Sequence, residues 1–252
     1  MTEVKARSYG VDVASYQSSI VSYAGAKFAI VKLTEGTSYL NPKAGQQIKS
    51  AKAHGYYVGG YFYANHSGSV TQARAEAKYA VAKAKTLGIP SGAVLADDFE
   101  QGSGNNVNGS ATANTDAIIA AMQVIKEAGY KPLVYSGAYV LRNRMSISRI
   151  IKTFGTCLWV ASYKISGRQD RADFNYFPSM DGVAIWQFAD NYRGLSVDGN
   201  ISLVDLKISS VSSTTKSKKK TVESLSLHPV VKWNIGAVAV VSNSKGAYVY
   251  TS

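Results

Sequence analysis

The stretch YVGGYFYANHSGSVTQARAEAKYAVAKAKTLGIPSGAVLADDFE, residues 57–100, decides the fold. Its first seven residues, Tyr57–Tyr63, are apolar, aromatic or glycine, with no charged or amide side chain on either face. Such a run reads as a strand covered on both sides, as in a parallel sheet. Residues 70–87 change character, and Ala, Lys and Gln, which lose little on entering a helix, dominate. Ser69 or Thr71 can cap its start, and Gly88 followed by Pro90 stops it. A second apolar run, residues 93–99, follows at once. Strand, helix and strand in this order make a parallel unit with the helix lying on the sheet.

The alternation extends in both directions. Apolar runs at Tyr9–Val13 and at residues 28–33, 132–135, 157–162, 183–188 and, weakly, 201–206 read as further strands. Helical patterns occupy residues 42–54, 112–128 and roughly 138–153. Thr112 or Asn114 can cap the 112–128 helix, and Gly129 stands where a C-terminal glycine belongs. Eight strand candidates before residue 207 favour a closed barrel over an open doubly wound sheet. The connections from Val13 to Phe28 and from Phe188 to Ile201 are too short for a full helix. The expected fold is therefore α/β, an irregular TIM-like (β/α) barrel over residues 1–208.

Beyond Leu206 the composition shifts to Ser, Thr and Lys, and a linker is expected at residues 209–221. Residues 222–252 carry β-type patterning around SNSKG, a turn signal, but are too few for an independent all-β module. They are expected to be the opening of an incomplete module. Half of the +12 formal charge sits in this tail, with seven Lys against Glu223 alone from Lys207 onward. A nucleic-acid partner would want Arg and a basic recognition element, and a Lys cluster within SSVSSTTKSKKKT reads instead as a solvated basic linker. Long-range attraction to an anionic polymer such as a cell envelope is the competing reading.

Composition excludes several classes. Apolar residues make up 46% and charged residues 17%, so a large core is available. One Cys rules out an internal disulfide framework, and three separated His residues give no paired-His metal motif. No apolar run reaches the ~18 residues of a membrane span, and the opening MTEVKARSYGVDV has no apolar core of a secretion signal. Neither a metal, another cofactor nor a stable membrane association is expected.

Residues 95–100, LADDFE, form an apolar strand running into three carboxylates. Side chains two apart on a strand share a face, so Asp98 and Glu100 project together at its C-terminal edge, the catalytic face of a β/α barrel. Each carboxylate disfavours ionisation of the other, which leaves a proton donor near neutral pH. A calcium ligand set or a solvated strand end is the bland alternative. Other strand ends repeat the theme. Asp12 and Gln17 follow the first strand, Lys32 and Glu35 the second and Tyr63 the third. Tyr135 ends the fifth, Trp159 to Tyr163 the sixth, Trp186 and Gln187 the seventh, and Asp198 precedes the eighth. Acids ringed by Trp, Tyr and Gln describe a sugar cleft, where rings stack on pyranose faces and polar groups bond hydroxyls. For any one of these aromatics, core packing is the simpler reading. No GxSxG elbow occurs, residues 102–107 lack the third glycine of a dinucleotide fingerprint, and Cys157 lies inside an apolar run as an inert thiol.

The segments YGVDVASYQ, AIVKLTEG, GYFYANHSG, the DFE strand end, AGYKPLVYSG, LWVASY, FPSMDGVAIWQFAD and VDGN resemble, in order, glycoside hydrolase family 25. These are the N-acetylmuramidases or Chalaropsis-type lysozymes, and the likeness is to their phage endolysin members over residues 8–206. The resemblance implies cleavage of the β-1,4 bond between N-acetylmuramic acid and N-acetylglucosamine in peptidoglycan. It implies Glu100 as proton donor, Asp98 as its companion, and Asp12 and Asp198 as supporting acids, with Asp205 an alternative to Asp198. It further implies that the substrate's 2-acetamido oxygen attacks C1 while Asp98 steadies the resulting ion, an exception to the two-carboxylate rule. The tail resembles the start of an SH3-like wall-binding module. Implied partners are peptidoglycan glycan strands and, through the basic tail, the bacterial wall, with the barrel acting as a monomer. The implied location is the host cytoplasm until the membrane is breached, then the wall. A catalytically silent wall-binding protein on the same barrel is the rival reading, and the four acids argue against it. A chitinase would show DxxDxDxE and a zinc amidase its ligands, and neither is present.

Overall fold

The computed structural model describes residues 3–208 and, in the tail, 238–243 and 246–251. Eight strands form the barrel: β1 Tyr9–Val13, β2 Phe28–Glu35, β3 Tyr57–Tyr63, β4 Val94–Asp98, β5 Lys131–Gly137, β6 Leu158–Ala161, β7 Val183–Ala189 and β8 Asp198–Ser202. They pair in chain order from β1 to β8, and β8 pairs back on β1 to close the ring. Seven strands run parallel, and β8 is antiparallel to both neighbours. Closure needs close backbone approach. A Cβ on Gly10 of β1 would stand 2.4 Å from the ring of Phe28, its partner in β2, so only glycine fits there.

Helices α1 Ala44–Ala53, α2 Val70–Leu87, α3 Ala111–Glu127, α4 Ala138–Asn143 and α5 Ile147–Phe154 flank the ring. The cap of α2 is the expected one: Ser69 Oγ accepts from the Gln72 N–H, and Gly88 ends the helix at φ +83°. Alanines 73, 77, 80 and 84 form its buried stripe. For α3 the N-terminal residue is Ser110, and neither Thr112 nor Asn114 caps it.

Two further sequence expectations are corrected. The helix expected over residues 138–153 is broken into α4 and α5 at Arg144–Ser146. There the buried Asn114 amide donates to the Arg144 carbonyl and Thr115 Oγ1 accepts from the Ser146 N–H, so α3 side chains satisfy the backbone that a continuous helix would use. The last strand lies at Asp198–Ser202, not at residues 201–206. It is antiparallel because eight residues separate it from β7, too few to carry the chain back for a parallel crossover. Beyond it, Leu206–Lys207 pairs antiparallel with Glu3–Val4 at the N-terminal end of the barrel.

In the tail, Val238–Asn243 and Gly246–Thr251 pair antiparallel, and Ser244 and Lys245 of the turn expected from SNSKG lie outside the described residues. The linker expected at residues 209–221 lies outside the described residues, as does the start of the 222–252 segment. Among the described residues no helix is long and apolar enough to cross a membrane.

Candidate active site

The C-terminal ends of the parallel strands surround a cavity of about 400 Å³ lined by Asp12, Asp98, Glu100 and Asp198. Asp12 lies near the end of β1, Asp98 ends β4 and Glu100 follows two residues on. Asp198 reaches the same mouth from the start of β8, because an antiparallel strand presents its first residue where its neighbours present their last. It stands directly across from Asp12 in the β1–β8 register. Asp205 is carried to the opposite end, where it accepts from the Ala6 N–H and pairs with Lys5 and Lys207. Of the two candidate aspartates, only Asp198 joins the other acids.

Burial pushes all four carboxyls up, and a neighbouring acid raises Asp98, Glu100 and Asp198 further. Glu100 adds to burial at Asp98, Asp12 adds to it at Glu100, and Lys32 opposes both. Asp198 is pushed up to about 8 by burial and by Asp12, to which it is hydrogen-bonded. Asp12 is also raised by burial, against the pull of Asn200 and Gln187. Four such groups in one small cavity cannot all ionise at neutral pH, so the mouth holds protons ready for transfer. Asp98 Oδ1 is buried and has no hydrogen-bond partner among the described residues, an unsatisfied acceptor beside the cavity.

The third acid of the DDFE run faces away. Asp97 meets His66 Nε2 at 3.2 Å, with neither side chain exposed, and the His66 ring stacks on Phe99 at 5.3 Å. Both ring nitrogens of His66 face acceptors, the Ser67 carbonyl and Asp97, which is the bonding of an imidazolium. Burial lowers His66, but Asp97, the Ser67 carbonyl and Glu76 together outweigh it and the net shift is upward.

Most of the other expected residues converge on the mouth. Lys32 bonds Glu35 at 2.9 Å and lies over the Tyr63 ring at 4.8 Å, forming one wall with them. Gln17 lines the same cavity while its Oε1 accepts from the Ala14 N–H. Tyr135, Trp159 and Gln187 lie deeper, around the floor. There Tyr135 and Tyr163 both donate to Gln187 Oε1. Trp186 is not brought to the mouth. One residue before Gln187 on β7, it points to the other side of the strand, into a cluster with Phe174, Phe177 and Phe188. Tyr61 on the floor, the highly exposed Tyr16 at the edge, and Asn200, whose amide holds Asp12, also come to the site, residues to which the sequence reading assigned no role. The period of two would have found Asn200, two places after Asp198 on one strand. Among the described residues no group of three or more His, Cys, Asp or Glu side chains is arranged to hold a metal ion.

Comparison with known proteins fits this geometry. The family model for glycosyl hydrolases family 25 matches residues 11–197. The chain is 41% identical over 179 residues to the lysozyme of Lactococcus phage mv1, covering 70% of this chain and 89% of that one. It is 35% identical over 206 residues to the lysozyme of Streptococcus phage Cp-7, covering 80% of this chain but only 55% of that longer protein. Among solved structures, the modular Cpl-1 endolysin complexed with a peptidoglycan analogue matches with a TM-score of 0.69 at 28% identity, over 98% of this chain and 63% of that one. With the family model spanning most of the barrel, the chain belongs to glycosyl hydrolases family 25 and is a glycosidase.

Proposed function

We propose that the barrel is a phage-type N-acetylmuramidase that hydrolyses the β-1,4 bond between N-acetylmuramic acid and N-acetylglucosamine in peptidoglycan. What supports this reading is the pairing of Glu100, a carboxyl at the cavity that burial and Asp12 push above its ordinary value, with Asp98 beside it at the end of the same strand. Glu100 gives its proton to the glycosidic oxygen as the C1–O bond breaks. Asp98 and Glu100 leave one strand edge on the same side, so Asp98 is poorly placed to attack C1 from the opposite face. Its carboxyl, which lines the cavity, instead suits the N–H of the substrate's 2-acetamido group, whose carbonyl oxygen bonds to C1. The positive oxazolinium ring is then held against the Asp98 carboxylate. Water opens it, returns a proton to Glu100, and leaves a β-configured reducing end. Lys32, Glu35, Tyr63 and Gln17 bind sugar hydroxyls along the wall.

The remaining parts have supporting roles in this reading. Residues 1–208 form the catalytic unit, acting as a monomer. Residues 209–221 link it to the basic, SH3-like 222–252 segment, which draws the enzyme to an anionic wall once the membrane has opened. Mass spectrometry of digested cell wall tests the bond. A new reducing-end muramic acid is expected, and a new reducing-end glucosamine, or no new reducing sugar, would refute the assignment.

A further inference from the structure

Hydrogen bonds divide the four acids of the mouth unequally. The Asp98 and Glu100 side chains accept no protein hydrogen bond among the described residues, whereas Asp12 Oδ1 accepts two. Asn200 Nδ2 donates to it at 2.6 Å and Gln187 Nε2 at 2.9 Å, and all three side chains are buried. The direction at Asn200 is fixed by chemistry. An indole N–H can only donate, and Trp159 Nε1 lies 2.7 Å from Asn200 Oδ1, so the amide oxygen faces Trp159 and the NH2 faces Asp12. At Gln187 the Tyr135 and Tyr163 phenols hold Oε1, which leaves Nε2 for the same carboxylate. Two amide donors converging on one oxygen stabilise the ionised form of that carboxyl.

Asp198 faces Asp12 across the β1–β8 register and is pushed up to about 8 by burial and by Asp12, so the pair keeps one proton between them at neutral pH. Asp12 is the deeper of the pair, and burial alone would leave the proton there. The amides, together with Asp198, pull the other way. The other titratable groups facing the pair are Lys32 from β2, Tyr61 from β3, Asp98 and Glu100 from β4, Tyr135 from β5, Tyr163 beyond β6 and Asp190 beyond β7. None of these bonds either carboxyl among the described residues.

We propose that Asn200 and Gln187, held by Trp159, Tyr135 and Tyr163, are positioning residues that keep Asp12 ionised and place the shared proton on Asp198. The mouth then presents one anion and one neutral acid where two carboxylates would otherwise compete. A doubly charged pair would hold the Glu100 proton more tightly and make it a poorer donor. Gln187 and Trp159 are thereby withdrawn from substrate contact, since both ends of the amide and the indole N–H are already engaged.

The test reads protons directly. In the full chain with 13C-labelled Asp carboxyls, assigned with Asp12→Asn and Asp198→Asn, the wild type is expected to show Asp12 ionised and Asp198 protonated at pH 6. In Asn200→Ala the Asp12 carboxyl is expected to take the proton, the pair to titrate about one pH unit higher, and the pH profile of kcat/KM on soluble glycan to shift with it. Protonated Asp12 in the wild type, or titrations unmoved in Asn200→Ala, would overturn the inference. Should that variant unfold, Gln187→Met, which keeps chain length and loses the donor, is read against the same two outcomes. The titration needs no substrate, so it stands or falls separately from the proposed muramidase activity.

Discussion

Replacing His66 by Leu isolates the ion pair behind the acid strand. Leu fills most of the imidazole volume and removes both N–H donors, leaving Asp97 in a site with no solvent. At 3.2 Å and an effective dielectric constant of about 20, the lost attraction is about 5 kcal/mol. The variant can avoid burying a bare carboxylate by protonating Asp97. An ordinary aspartate titrates near ~3.9, so holding a proton at pH 7 costs about 1.4 kcal/mol per unit, roughly 4 kcal/mol in all. Removing one partner of a buried pair typically costs about 3–5 kcal/mol, so the two routes agree. The deficit is expected to shrink to about 1.5 kcal/mol at pH 5, where protonation is cheap. In the wild type His66 is raised above its unfolded value, so its stabilisation is full below about pH 6.5 and is lost as pH rises through the folded value. Urea unfolding followed by tryptophan fluorescence between pH 5 and 7.5 measures both curves. A deficit that is below ~1 kcal/mol, or that does not change with pH, would mean the pair is not charged in the fold.

Glu100→Gln keeps shape and removes the proton, so turnover on walls is expected to fall about 10²–10⁴-fold with binding retained, and unchanged turnover would sink the assignment. Asp98→Asn is expected to be similarly severe, and NMR of the first-formed reducing sugar should show the β-anomer; an initial α-anomer means direct attack by water. In Gly102→Ala a Cβ would stand 1.9 Å from Tyr63 Oη, which must move; KM is expected to rise while the Tm changes little, and unchanged KM would remove Tyr63 from the binding wall. Deleting residues 209–252 is expected to spare turnover on soluble muropeptides and to weaken wall binding, more so at low salt; an insoluble or inactive barrel would show the tail to be part of the fold.

The barrel was legible because its signals are local. Double-sided apolar runs, the Ser69 and Gly88 ends of α2 and the count of strands each follow from a few adjacent residues. The break between α4 and α5 was not, since it is made by Asn114 and Thr115, about thirty residues upstream, bonding the backbone at Arg144 and Ser146. At the site, the period of two was applied to Asp98 and Glu100 but not carried through. Applied to β7 it would have separated Gln187 from Trp186. Applied to β4 it would have sent Asp97 to the opposite face from Asp98, leaving a buried acid in need of a cation, with His66 in the preceding loop as the available partner. Applied to β8 it would have added Asn200 to Asp198.

The identity of the fourth acid turns on a single strand direction. Had the last strand run parallel over residues 201–206, its C-terminal end would have brought Asp205 to the mouth and left Asp198 below. Running antiparallel from Asp198, the same segment faces Asp198 with Asp12, puts Asn200 one pleat deeper against Trp159, and sends Asp205 to the far end among Lys5 and Lys207. Local pattern does not distinguish these, because the two short segments overlap at Ile201–Ser202 and neither shows a clean alternation. Connection length does. Eight residues after Ala189 can make a reversal but not a crossover, so the loop between β7 and β8 selects the aspartate that completes the site. Lengthening that loop with a flexible insertion should therefore disturb Asp198 before it disturbs Asp98 or Glu100, which hang from β4, the strand anchored through Asp97 to His66.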